Sequence, residues 1–343
     1  MRLFLLAFAA VLAAAPAHTK PRPVTVGYVP AFKGLDRIVE RGGFKHYTHL
    51  NLAFVNPDSS GAVERGGALA CAPAGDGAMI SARSLQRLVT KAHRARARVL
   101  ISLGGGVIPA CSGDWARLLA PPTRSSIVER LVALVDRYGF DGIDVDLEGE
   151  LMTRIDRAGN YTPFVQELSA AMRSRSKLLT AATATYEGGM IPDASLPFFD
   201  LVGIMSYDAI GPSWGTAGDE HSSFEQARAH LAFWIAKGVP REKLALGLPF
   251  YGYGFGAFRA NYALRDIAAE FGKDALESDV VGRRCAGCDY ITFNGLPTLK
   301  RKARLAGAEG SGIMIWEIDQ DMPGHRIIRE VRRAHRKGVA VRR

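Results

Sequence analysis

Long apolar runs are nearly missing from the 343 residues: the only one, Leu3 to Ala15, is N-terminal. It falls short of the roughly 20 residues a membrane-spanning helix needs, so a multispanning membrane protein is excluded. Cysteine is scarce, with four residues in all, and neither a second paired-cysteine motif nor a spaced histidine pair accompanies Cys285-Ala286-Gly287-Cys288. Half of a metal site is the alternative reading of that motif, and it lacks its other half. Pro/Ser-rich linkers, low-complexity tracts and repeat modules are also missing, so one domain is the simplest count. A glycine-rich dinucleotide fingerprint is absent too, since Val26-Gly27-Tyr28-Val29-Pro30 has no further glycines, which disfavours a doubly wound open sheet. Acidic residues are in deficit, 34 against 44 Lys and Arg, for a formal charge of +10. A basic surface attracts polyanions, which raises nucleic acid or an anionic envelope as partners. The composition itself, 48% apolar and 23% charged, suits a globular protein with a large core and excludes disorder and collagen-like order.

Arg2, the uncharged run Leu3 to Ala15 and the small residues Ala15-Pro16-Ala17 read as a signal peptide over residues 1–17. The mature chain is then 18–343, secreted or periplasmic. Export implies an oxidising compartment, where four cysteines are expected as disulfides. Three pairings are possible. Cys71 and Cys111 both fall in loops after consecutive strand candidates, which favours Cys71–Cys111 with Cys285–Cys288.

Eight β-rich runs recur: Val24 to Val29, His49 to Val55, Arg98 to Leu103, Asp141 to Glu148, Leu178 to Thr185, Leu201 to Tyr207, Leu244 to Phe250 and Gly312 to Trp316. Helix-period segments lie between them. The clearest is Ser125 to Tyr138, where Ile127, Val128, Leu131, Val132, Val135 and Tyr138 share one face. Others are Ala82 to Ala95, Tyr161 to Arg173, Ser223 to Lys237 and Thr298 to Ala306. Eight strand–helix repeats in this length predict an α/β fold, a (β/α)8 TIM barrel. The longest interruption, about 251–297 between strand 7 and helix 7, holds a helical segment at Ala263 to Phe271 and the paired cysteines, and reads as a small insertion on the loop face.

Strand 4 reads Asp141-Gly142-Ile143-Asp144-Val145-Asp146-Leu147-Glu148. Alternation sends Asp144, Asp146 and Glu148 to one side and Ile143, Val145 and Leu147 to the other, so three carboxyls converge inside the barrel toward its mouth. Crowded in a low dielectric, they cannot all ionise at their ordinary pKa values. A shared proton with Glu148 outermost is what a general acid near neutral pH requires. A cation held by these oxygens is the other functional reading. No further acids are evident at the ends of neighbouring strands, so no metal is assigned.

The strand 4 motif D-G-I-D-V-D-L-E resembles the active-site strand of family 18 glycoside hydrolases, the chitinase-type enzymes. Further landmarks stand in order: S-L-G-G at 102–105, M-S-Y-D at 205–208, L-G-L-P-F-Y-G at 246–252 and M-I-W at 314–316. The resemblance implies a retaining hydrolase in which the substrate's own 2-acetamido group is the nucleophile, an exception to the two-carboxylate scheme. It implies that Glu148 protonates the leaving oxygen and later activates water, that Asp146 orients the acetamide, and that Asp144 holds or shares Asp146's proton. Tyr207 would donate to the acetamide carbonyl, with Asp208 and Met205 of the same motif beside it. Strand alternation alone does not bring Tyr207 and Asp208 into one site. Trp316 would floor the subsite of the reacting sugar, and Tyr28 and Phe54 would line the pocket. Trp214 and Tyr253 are candidates for extended sugar stacking, with ordinary packing as the alternative. Ser102 has no histidine partner that would make it a nucleophile, and Trp234 reads as core.

The expected substrate is chitin or N-acetylglucosamine oligosaccharides, and the chemistry needs no metal or organic cofactor. The rival on the same fold is an endo-β-N-acetylglucosaminidase acting on N-glycans or related aminosugar polymers. An inactive lectin would be expected to lack the outer Glu, and Glu148 is present. A short insertion after strand 7 predicts a more open cleft and endo action. The excess charge sits late in the chain, where Arg326, Arg329, Arg332, Arg333, Arg336, Lys337, Arg342 and Arg343 face Glu330 alone. A last barrel helix runs away from the mouth, so the basic tail, about 326–343, is expected far from Glu148. Nucleic acid is therefore not expected as a partner, and the protein is expected to be a monomer.

Overall fold

The computed structural model describes residues 23–73 and 77–342. The segment expected to be a signal peptide, residues 1–17, lies outside the described residues, as does Arg343 of the basic tail. Eight parallel strands close into a barrel: β1 (Thr25–Pro30), β2 (His49–Val55), β3 (Arg98–Gly105), β4 (Gly142–Leu147), β5 (Leu178–Thr183), β6 (Leu201–Ile204), β7 (Leu244–Pro249) and β8 (Gly312–Trp316). Each pairs with its sequence neighbours, and β8 closes onto β1. This is the (β/α)8 architecture.

Apolar side chains divide into two clusters, one between barrel and helices and one inside the barrel. The outer cluster takes Ile143, Val145 and Leu147 of β4 together with the buried face of the helix Pro121–Tyr138, which carries Ile127, Leu131 and Val135. That helix opens on two prolines and stops at Gly139, whose φ of 72° supplies the left-handed turn that ends a helix. Burying each large aliphatic side chain there contributes about 1.5–3 kcal/mol, and Leu131→Ala is the kind of change that loosens the wall. The inner cluster is small. It holds Val26, Tyr28, Ala53, Leu201, Ala245 and Met314, with Phe54, Met205, Tyr207 and Trp316 packed against it.

Two antiparallel sheets are added at the mouth, and neither was legible as strands. Residues Glu64–Arg65, Ala68–Pro73 and Met79–Ser81 form one after β2, tied to the loop after β3 by the Cys71–Cys111 disulfide. The segment after β7 is a four-stranded sheet, ordered Asn261–Ala263, Tyr251–Phe255, Tyr290–Phe293, Val280–Gly282, with the helix Leu264–Glu270 in its connection. Cys285 and Cys288 pair within that segment's last hairpin. Where the sequence reading carried strand 6 to Tyr207, the ladder ends at Ile204, the last residue paired with both Thr183 and Leu246. Where it carried strand 4 to Glu148, that residue caps the helix Gly149–Arg157.

Candidate active site

The register of β4 against its neighbours places Ser102 beside Asp144 on one side and Thr180 on the other. All three side chains point into the barrel, as their shared parity requires. Asp144, 1% exposed, accepts hydrogen bonds from Tyr28 Oη (2.8 Å) and Ser102 Oγ (2.7 Å) on one oxygen and from Thr180 Oγ1 on the other. Burial pushes its pKa up, and the three hydroxyl donors pull it back. Asp146, one step nearer the mouth, has no such donors. Burial and the charges of Glu148 and Asp144 hold its pKa well above the carboxylate range, and its hydrogen bond to Glu148 adds to the shift. Both shifts favour a proton held between Asp146 and Glu148. Asp146 Oδ1 is buried with no hydrogen-bond partner among the described residues, an acceptor with capacity to spare.

Glu148 is half-buried at the rim. Its pKa is raised to about 7 by burial and then by the charge of Asp208, against the hydrogen bond from Asp146. A carboxyl that gives up its proton near neutral pH suits general acid–base work. Tyr207 keeps its phenolic proton, because burial and the charges of Asp146, Asp208 and Glu148 all raise its pKa. Past Ile204 the chain leaves the ladder, and Asp208 takes a left-handed φ of 62°. That break in alternation is what lets Tyr207 and Asp208 line the same cavity.

The cavity has a volume of about 450 Å³ and brings together Tyr28, Phe54, Asp146, Glu148, Met205, Tyr207, Asp208 and Trp316. Asp144 lies beneath it. Trp316 and Phe54 stack at 5.7 Å and 21°, and Tyr28 abuts both rings, giving an aromatic floor under the carboxyls. Phe54 is displaced from the ladder because pairing with β3 steps from Ala53–Ser102 to Val55–Leu103, a bulge that turns its ring into the mouth. The glycines of S-L-G-G have a steric reason. At Gly104, φ +91°, a Cβ would stand 2.7 Å from the Asp146 carbonyl, and at Gly105, φ +95°, 2.6 Å from the Phe54 ring.

Trp214 and Tyr253, the candidates for extended sugar stacking along the cleft, do not line this cavity and stand beside it at Asp208. Tyr253 is buried and donates to Asp208 Oδ1 at 3.0 Å, and Trp214 lies edge-on to it with its indole N–H on the Asp208 carbonyl. Both brace Asp208 from the side because the four-stranded sheet folds over that residue. Tyr251 also donates to Asp208 Oδ1. Sequence reasoning missed Thr180, Asn56, Tyr186 and the apolar wall of Pro73, Ile80, Val107 and Pro109. Parity along β5 signalled Thr180. Pro73 and Ile80 lie in the short strands added after β2, and Val107 and Pro109 in the irregular loop after β3, where no period operates.

The sequence matches Glycosyl hydrolases family 18 over residues 24–321. A class V chitinase of Arabidopsis thaliana is 27% identical over 65% of this chain and 69% of its own length. The probable chitinase 10 of Drosophila melanogaster is 25% identical over 71% of this chain, which spans only 13% of that longer protein. Among solved structures, the GH18 chitinase ChiB from the chitin utilization locus of Flavobacterium johnsoniae superposes with a TM-score of 0.76 at 31% identity, covering 92% of this chain and 94% of its own. The class V chitinase of Nicotiana tobaccum in complex with NAG4 shares the fold, with a TM-score of 0.74 at 18% identity over 92% and 99% of the two chains. With the carboxyl ladder, the aromatic floor and a family match across the barrel, the chain belongs to family 18 of the glycosyl hydrolases.

Proposed function

We propose that this protein is an exported chitinase that hydrolyses β-1,4 bonds between N-acetylglucosamine units with retention. The observation that carries the reading is the carboxyl ladder of β4 against the aromatic-floored cavity. Asp144 is satisfied by three hydroxyls, Asp146 and Glu148 line the cavity, and burial raises the pKa of both, that of Glu148 to about 7.

With a sugar on the Trp316–Phe54 floor, Glu148 in its acid form protonates the glycosidic oxygen. The 2-acetamido carbonyl oxygen attacks the anomeric carbon from the opposite face, closing a five-membered ring as the leaving group departs. Asp146, its proton passed to Glu148, turns as a carboxylate to the acetamide N–H and offsets the charge that develops on that nitrogen, while Tyr207 donates to the carbonyl oxygen and aims it. Glu148, now a carboxylate, removes a proton from water, which opens the ring and restores the original anomeric configuration. Asp144 supports Asp146 from below. Relatives named as chitinases, including one solved with NAG4, support this substrate class.

The test incubates the mature protein with chitin oligosaccharides and, in parallel, with an N-glycoprotein. Oligosaccharide cleavage that gives the β-anomer first by NMR is the expected result. Cleavage of the glycoprotein alone replaces the proposal with the endo-β-N-acetylglucosaminidase reading, and tight binding with no turnover replaces it with a lectin.

A further inference from the structure

Below Tyr207 and Asp208 lies an ammonium that the chemistry above does not use. Lys302, on the helix Leu296–Glu309, is fully buried. Its three protons go to Ser222 O (2.8 Å), Ser222 Oγ (2.7 Å) and Asn294 Oδ1 (2.7 Å), none of them charged. Asn294 in turn donates from its amide to Ser222 O at 2.6 Å. A buried cation with only neutral acceptors is costly to fold around, and an apolar side chain of the same length would fill the space at less cost.

The acceptors show where that cost is spent. Ser222 Oγ, fixed by the ammonium, passes its own proton to the Ser206 carbonyl at 2.7 Å. One residue away, the His221 carbonyl accepts from Ala209 N at 3.0 Å. Residues 221–222 thus grip the chain on both sides of Tyr207 and Asp208, the stretch that has left the β6 ladder and has no strand neighbour to hold it. The His221 ring completes the grip. It is fully buried, packs on Tyr251 and Tyr253, and sets Nδ1 3.8 Å from Asp208 Oδ1.

We propose that Lys302 and Ser222 are positioning residues that lock Ser206–Ala209, and with it Tyr207 and Asp208, in the arrangement glycoside hydrolysis requires. The proposal rests on the hydrolase reading above for its kinetic consequence and on the hydrogen-bond chain alone for its structural one. Asp279 and Glu220 favour the ammonium from neighbouring elements, His221 and His230 face it, and burial brings its pKa down to about 7. The clamp is therefore fully donated on the acid side of neutrality.

The test uses the mature chain with Ser222→Ala, Ser222→Thr and Lys302→Met. A small misplacement of a substrate-positioning group costs up to about 10²-fold in rate. Ser222→Ala is expected to lower kcat about tenfold with KM within about twofold, and Ser222→Thr, which keeps the hydroxyl, to restore it. Lys302→Met is expected to lose more, and Ser222→Ala keeps the question decidable if that variant fails to fold. A crystal structure of Ser222→Ala is expected to show the Ser206–Asp208 backbone displaced. Equal kcat for Ser222→Ala and wild type, or an unmoved backbone, overturns the proposal. If the wild type cleaves no amino-sugar oligosaccharide, the functional reading falls while the backbone position still decides the clamp.

Discussion

Two runs of alternating carboxyls stand at the mouth of this barrel, and they differ in the counter-charge the fold gives them. Asp144, Asp146 and Glu148 end β4, and Glu317, Asp319 and Asp321 follow β8. The second run is held by cations at two positions and by backbone amides at the third. Glu317 meets Lys33 at 2.7 Å, Asp319 takes Arg37, Arg41 and Arg265 within 3.2 Å, and Asp321 caps the Arg326–Val341 helix through the amides of Ile327 and Ile328. Burial opposes ionisation of Asp319, yet the guanidinium groups outweigh it and its pKa falls. Burial still raises Glu317 and Asp321, so the contrast is sharpest at Asp319: among the described residues no cation pairs with Asp144, Asp146 or Glu148, and all three pKa values rise. Carboxyl spacing thus does not make an active site. What distinguishes the reactive triad is that the fold withholds counter-charge from it while leaving it open to a cavity.

That contrast can be broken most forcefully at Glu148 and Asp319. Glu148→Gln is expected to cut kcat on chitin oligosaccharides by about 10² to 10⁴ without lowering the melting temperature, since it removes a charge that the site holds at a cost. Asp319→Ala should do the reverse. Three guanidinium groups lose their common partner, and the loss, about 2 kcal/mol after allowing for their solvent exposure, is read from denaturant melts, with kcat/KM nearly unchanged. Equal loss of activity in both variants would erase the distinction.

Stability against pH sharpens it further. Glu148 is raised from 4.5 to about 7, so the folded form holds its proton longer, and its contribution is complete below pH 4.5 and lost as pH rises through about 7. Asp319 is lowered from 3.8, so its contribution is complete above that value and lost as pH falls below it. Melting temperatures of wild type, Glu148→Gln and Asp319→Asn across pH 3 to 8 should show each variant flattening its own limb. The smallest effect is expected at the base of the reactive triad. Ser102→Ala removes one of three hydroxyls from Asp144, and a several-fold drop in kcat/KM is expected, in line with one hydrogen bond of about 1 kcal/mol.

Much of the site was legible because strand geometry is a two-residue code. Asp144, Asp146 and Glu148 share parity, and Tyr28 and Trp316 follow from the same rule on β1 and β8. Legibility ended where the ladder ended. Tyr207 and Asp208 join one cavity only because the chain turns through a left-handed residue, and Phe54 enters because a bulge turns it. Trp214, in the loop after β6, and Tyr253, in the sheet after β7, both hydrogen-bond Asp208, a convergence that no period along the sequence announces. The acids after β8 went unnoticed because their partners, Lys33, Arg37, Arg41 and Arg265, are remote in sequence.

By itself the sequence determined the closed barrel, its family and the ladder of carboxyls, since these depend on period and local order. Only the tertiary structure decided which carboxyls remain reactive. A pKa depends on the charges and dielectric within a few ångströms, and those neighbours arrive from across the fold: three hydroxyls for Asp144, a proton-sharing neighbour for Glu148, and four cations for a second triad that the same spacing would have suggested was equally active.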